Sequence, residues 1–282
     1  MKHKLTHINE VFDTNAKRED DLSKYTPMGF KGLYNANCNL HPGNMYVVAA
    51  RPGMGKTAFA LSIAKNFSKL SNKAVTYFSL DETEEQLVKR LLSITSNVDA
   101  RKFHSGNLNE DEEERAKTAQ DFLRRKNIYI NDTARNIGDI QKTLQNFSNL
   151  GLVVIDFIQL LSTEFKKGPR NREGQYIINT IEKMAVKLNV PIIIVSQVPR
   201  FEHKKRQDYR PELNDLRQEP WDFLEPLAAV VSFLYRDAYY NHECDSTTAE
   251  CIIAKNRFGE TGTILLQWND ECSYFADVEG CI

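Results

Sequence analysis

The sequence predicts an α/β fold, a mostly parallel twisted sheet flanked by helices, on three observations. Short runs rich in β-branched residues alternate with longer amphipathic runs, which is how repeated strand and helix units read in a chain. The strand runs are almost solidly apolar, as expected when helices cover both faces of a sheet. A glycine-containing loop ending in Lys-Thr joins the first of these strands to the first long helix. The composition agrees with a folded chain: 282 residues, 41% hydrophobic and 27% charged, with 37 basic against 38 acidic side chains and a net charge of −1. That balance excludes a uniformly basic coat but not a locally positive channel. No apolar run approaches the roughly 20 residues that span a bilayer, and the charged start MKHKLTHINEVFD does not read as a signal peptide. A cytoplasmic protein without membrane contact is therefore expected. Five cysteines, none in a C-x-x-C pair, read as ordinary thiols rather than a disulfide framework or a zinc site.

Taken in order, residues 1–24 form an N-terminal arm. Leu5, Ile8, Val11 and Phe12 fall at three- and four-residue steps, the spacing of a short helix with one apolar stripe, and the polar run NAKREDD after them reads as a linker. The globular domain spans residues 25–282. Its strand candidates are MYVVAA, AVTYFS, NIYIND, LVVIDF, PIIIVS, AAVVSFLY, AECIIAK and GTILLQW. Its helix candidates are Thr57 to Ser68, Thr83 to Ser93, Asn109 to Arg125, Ile137 to Phe147 and Gln175 to Leu188. The acidic run after Asn109 lies where a helix N-terminus favours negative charge, and reads as a solvated helix start.

The chemistry concentrates first in Ala50-Arg51-Pro52-Gly53-Met54-Gly55-Lys56-Thr57-Ala58. This fits the phosphate loop G-x-x-x-x-G-K-[ST], with Ala50 in place of the first glycine, in the strand, loop and helix context the motif requires. Backbone N–H groups of such a loop face phosphate oxygens, Lys56 brings a charge to the terminal phosphates, and Thr57 can ligate Mg²⁺. Asp156 ends the apolar strand LVVIDF, where a carboxylate can serve the metal side of the same site. Together they predict binding of a nucleoside triphosphate with Mg²⁺. Asp81 and Glu82, just after AVTYFS, are candidates to orient the attacking water; the alternative is that they cap the next helix. Gln197, at the end of PIIIVSQ, is placed to sense the γ-phosphate. Lys255 and Arg257 stand two apart on a late strand, on one side of an extended chain, a pattern that fits a pair of cationic fingers.

From Gly29 to Trp268 the chain resembles the C-terminal RecA-like motor domain of the DnaB-type hexameric replicative helicases. The resemblance rests on AARPGMGKTAFALSIA, YFSLDETEEQLVKRLL, VVIDFIQLL, VPIIIVSQVPR, RPELNDLR, FLYRD and AKNRFGETGT, in that order. It implies a RecA-like P-loop NTPase that assembles as a homo-oligomer, a ring of six with ATP between neighbours and single-stranded DNA in the pore. The implied activity is ATP hydrolysis coupled to DNA unwinding in replication. It further implies that Lys255 and Arg257 act on the next subunit's nucleotide, that Arg217 begins the DNA-gripping loop, and that the N-terminal arm docks on a neighbour. Arg200, Lys204, Lys205 and Arg206 form a basic loop suited to phosphate contacts around the pore. Lys166, Lys167, Arg170 and Arg172 form a second. A helicase loader, a primase or, for the regulator alternative given below, a host helicase are the expected protein partners.

Three departures from the family's pattern stand out. Asp81 occupies the place of its catalytic glutamate, one methylene shorter. Gln218-Glu219-Pro220 follows Asp215-Leu216-Arg217 where the family has Glu-Ser-Gly, and a proline there removes a backbone donor. The primase-binding N-terminal domain of the full-length family is expected to be absent. These departures motivate one alternative, a nucleotide-loaded regulator that binds or blocks a host helicase without efficient turnover. A recombinase or kinase on the same fold is a third.

Overall fold

The computed structural model describes residues 25–164, 170–199, 208–217, 219–241 and 243–278. The predicted N-terminal arm, Lys166, Lys167, Arg200, Lys204, Lys205, Arg206 and Gln218 lie outside these residues. The strands are β1 (Met45–Ala50), β2 (Ala74–Ser79), β3 (Ile128–Asn131), β4 (Leu150–Asp156), β5 (Ile192–Gln197), β6 (Val230–Tyr235), β7 (Thr248–Asn256), β8 (Gly262–Asn269) and β9 (Tyr274–Asp277). The helices are α1 (Lys31–Asn35), α2 (Lys56–Leu70), α3 (Glu84–Ser96), α4 (Ala100–Ser105), α5 (Glu110–Arg124), α6 (Ile137–Gln145), α7 (Arg170–Leu188) and α8 (Leu224–Leu227).

All nine strands join one sheet in the order β3-β2-β4-β5-β1-β6-β7-β8-β9. The first six in that order run parallel, and β7, β8 and β9 continue antiparallel. The solid apolar strands feed two cores by simple alternation, because successive side chains leave a strand on opposite faces. Tyr46, Val48 and Ala50 of β1 join one core with Val154, Ile193 and residues of α2 and α3. Met45, Val47 and Ala49 join the other, with Ile155, Ile194 and residues of α6 and α7.

Both-face coverage stops at β7. Leu266 and Trp268 of β8 are buried, but Leu265 beside them is 54% exposed, so the expectation of helices on both sides fails for GTILLQW. No long helix follows β7 among the described residues to cover that side. β9 was not foreseen: SYFADV is short and carries a serine and an aspartate, a weak strand signal.

Helix starts follow local chemistry. Thr83 caps α3 and forms a capping box with Gln86, so neither Asp81 nor Glu82 supplies the cap. Asn109 caps α5 and forms the same box with Glu112. Glu112 is buried and bonds Lys102 at 2.5 Å, which corrects the reading of the acidic run as wholly solvated. Pro220 is buried against α7: a Cβ on Gly174 would lie 2.2 Å from the Pro220 carbonyl oxygen. The proline therefore packs inward against α7.

Candidate functional site

Four neighbouring parallel strands, β2, β4, β5 and β1, end on the same side of the sheet, and each delivers one part of the site. The chain leaves β1 through Arg51 to Gly55 and enters α2 at Lys56. Gly55 takes φ +91°, and a Cβ there would lie 2.9 Å from Phe275 and 3.0 Å from Trp268, so only glycine fits. Asp81 and Glu82 follow β2, Asp156 ends β4, and Gln197 ends β5. This is the carboxyl end of the sheet, where open α/β folds bind ligands.

These residues line one cleft of about 440 Å³, with Pro52, Gly53, Gly55, Lys56, Thr57, Ala58, Asp81, Glu82, Asp156 and Gln197 in its wall. Two residues predicted for nucleotide contact point elsewhere. Met54 is buried in the apolar core, and the Arg51 guanidinium is buried and donates to the Tyr240 hydroxyl at 2.9 Å. Their side chains hold the loop in place from behind.

The electrostatics suit a buried anion and cation. The Lys56 ammonium donates to the Arg51 carbonyl at 3.2 Å; burial lowers its pKa, against the opposing pull of Asp156 and Asp81. Asp156 is buried, and burial raises its pKa, opposed by hydrogen bonds from Tyr77 and Thr57. The Tyr77 hydroxyl donates to Asp156 Oδ2 at 2.6 Å. Glu82 is held by Arg90 through two bonds, Nε to Oε2 at 2.6 Å and Nη2 to Oε1 at 2.9 Å. Asp81 is exposed.

Among the described residues no group of three or more His, Cys, Asp and Glu side chains forms a metal cage. The hard oxygens of Thr57 and Asp156 nevertheless fit Mg²⁺, which keeps several waters and shares its shell with substrate phosphates. The buried Asp156 carboxylate, whose own charge is costly without a cation, is the observation that fits the ion.

Sequence reasoning missed one wall of this cleft. Arg236, which follows β6, lies over the Trp268 ring at 4.2 Å and approaches Asp270 at 3.4 Å. Burial lowers the Arg236 pKa, against Asp270. An arginine directly after a solid apolar strand was the available signal, but its partner comes from β8, 32 residues on, and nothing local announces that pairing.

Lys255 and Arg257 lie far from this cleft. Lys255 pairs with Val231, and the Arg257 N–H donates to Ala229, whose own N–H donates to Met45. They therefore stand beside the start of β1, about 16 Å of strand from Ala50 at a 3.3 Å rise. Lys255 donates to the Glu225 carbonyl at 2.6 Å, and Arg257 to the Pro226 carbonyl at 2.9 Å. Arg217 is exposed and ion-paired with Glu225 at 2.7 Å.

The sequence model of the family described as "DnaB-like helicase C terminal domain" matches residues 26–277. The replicative DNA helicase DnaC of Bacillus subtilis (strain 168) is 36% identical over 285 residues, covering 99% of this chain and 62% of that protein. The replicative DNA helicase DnaB of Geobacillus stearothermophilus is 36% identical over 259 residues, covering 90% of this chain and 56% of that protein. The chain thus spans about six-tenths of the length of these curated relatives. Among solved structures, one described as an ATPase domain superposes with a TM-score of 0.87 at 30% identity, covering 98% of this chain and 100% of that one. A DnaB-like replicative helicase, whose structure was described with its interactions with primase, gives 0.85 at 31% identity, covering 98% and 68%. The curated relatives are helicases, which leaves the regulator alternative without support. No described helix is long and apolar enough to cross a membrane. By sequence and by structure alike, the chain belongs to the DnaB-like helicase C-terminal domain family, with a RecA-like ATPase fold.

Proposed function

We propose that this chain is the ATP-hydrolysing motor of a ring-forming helicase that moves on single-stranded DNA in replication. The observation that carries this reading is the convergence of Lys56, Thr57, Asp81, Asp156 and Gln197 from four adjacent strand ends on one cleft. In this reading the loop N–H groups and Lys56 bind the phosphates, while Thr57 and Asp156 hold Mg²⁺, which supplies charge neutralisation on the phosphoryl oxygens. Asp81 orients and deprotonates the attacking water. Glu82 is already committed to Arg90, so the exposed Asp81 is the group available for that task. Gln197 senses the γ-phosphate, and Lys255 and Arg257 stabilise developing charge on the nucleotide of the neighbouring subunit.

Single-stranded DNA as the track is supported by the helicase names of the relatives and by the cations at Arg217 and in the sequence run that holds Arg200, Lys204, Lys205 and Arg206. A primase or a helicase loader is the proposed protein partner.

The test is ATP hydrolysis with and without single-stranded DNA, beside Lys56→Ala and Asp81→Ala, with the oligomeric state recorded on the same samples. DNA-stimulated turnover is expected. Lys56→Ala should abolish it, and Asp81→Ala should lower kcat by about 10²–10⁴-fold, the usual contribution of a positioned base. Nucleotide binding with no turnover by the wild-type chain would sink the motor reading.

A further inference from the structure

The segment VVIDFIQLL contains a glutamine that none of the roles above uses. Gln159 lies in a 3-10 turn, Ile158–Leu160, directly after β4. Its amide reaches across to the end of β5. Nε2 donates to Ser196 Oγ at 2.9 Å and to the Gln197 carbonyl at 3.1 Å, and Oε1 accepts from the Gln197 N–H at 3.1 Å.

The need for this clamp follows from the sheet. In a parallel strand the N–H and C=O of one residue point to the same side. Val198 bonds Ala50 of β1, so the two backbone groups of Gln197 face β4. The ladder between β4 and β5 has already ended at Ile155 and Ile194, because the chain turns away after Asp156. A buried or half-buried backbone pair without partners is costly. A side-chain amide carries one acceptor and two donors in a plane, so Gln159 replaces the missing strand residue.

We infer that Gln159 is a positioning residue that holds the backbone of Gln197, and with it the γ-phosphate sensor, in fixed register with the metal-side carboxylate Asp156 three residues upstream. The inference rests on the reading of the cleft as an ATP site. Gln159 is not among the residues that line the nucleotide cleft. It lines instead a second cavity, which shares Phe157 and Gln197 with that cleft and includes Ser196, Asp215 and Trp221, so it acts through Gln197 rather than on the nucleotide.

The test compares wild type, Gln159→Met and Gln159→Glu for binding of ADP and of a non-hydrolysable ATP analogue with Mg²⁺, by calorimetry. Methionine keeps the volume and removes all three bonds; glutamate keeps the acceptor for the Gln197 N–H and loses both donors, those to Ser196 Oγ and to the Gln197 carbonyl. ADP affinity should stay within about twofold, since the diphosphate does not reach Gln197. Preference for the triphosphate analogue should fall about tenfold in Gln159→Met and less in Gln159→Glu, with KM for ATP rising in step and kcat falling. Adding Gln159→Met to Gln197→Ala should cost little more than Gln197→Ala alone, because the two share one function. Melting curves on each variant separate these effects from unfolding. A Gln159→Met protein that keeps the triphosphate preference, or that loses ADP and ATP-analogue binding equally, would overturn the inference. A wild-type chain with no triphosphate preference would instead overturn the ATP-site reading, and the inference with it.

Discussion

Asp156 shows how a single side chain carries the conflict between stability and function. It is buried, bonded by Tyr77 and Thr57, and still held above the ordinary aspartate range by burial. Between the unfolded value, about 3.9, and the raised folded value, the folded state keeps a proton that the unfolded chain has released. Stability without ligand therefore falls as pH rises through that window. Asp156→Asn should remove this fall and raise Tm at neutral pH, by about 2–4 °C for each kcal/mol regained, while abolishing Mg²⁺-dependent turnover. A thermal melt across pH 4–8 on both proteins checks it; a lower Tm for the asparagine variant would contradict the account. Lys56, Thr57, Asp81 and Gln197 were legible in the sequence because each follows or ends an apolar strand. The engagement of Glu82 by Arg90 was not, since eight residues, the last of them nearly two turns into α3, separate them. Nor was the inward turn of Arg51 and Met54, because the phosphate-loop pattern fixes backbone shape and leaves the intervening side chains unspecified.

At the scale of elements, capping residues and apolar periodicity determined most boundaries. Thr83 and Asn109 start α3 and α5 because their side chains accept from the first free N–H groups. The short helices α1, α4 and α8 were not foreseen, since one or two turns show no period. The contact between α7 and the loop after Arg217 was also hidden, for it depends on Gly174 meeting Pro220 46 residues later. Gly174→Ala forces a Cβ against the Pro220 carbonyl, a backbone atom that cannot swing aside. It should cost about 1–3 kcal/mol, in the range of overpacked sites, read by chemical denaturation. An unchanged midpoint would mean that the loop gives way freely.

For the whole molecule, the sheet order decides which residues can cooperate within one chain. Lys255 and Arg257 stand at the opposite end of β1 from the phosphate loop, so they cannot reach their own nucleotide. If they serve a neighbour, Lys56→Ala and Arg257→Ala chains should each be inactive alone and regain a fraction of DNA-stimulated hydrolysis when mixed. The regained rate should peak near equal proportions, and a flat response across all mixtures would count against action between subunits. The α/β class, the strand–loop–helix around Lys56, the aspartate that ends β4 and the family could all be read from the chain alone, because these depend on local periodicity and on residue types at fixed spacing. Only the tertiary structure decided which carboxylate is free in the cleft, that Arg236 meets Trp268, that Gln159 clamps the end of β5, and that the cationic pair lies away from its own site. Those outcomes depend on which strands become neighbours, and strand order is set by packing across the whole sheet rather than by any stretch of the chain.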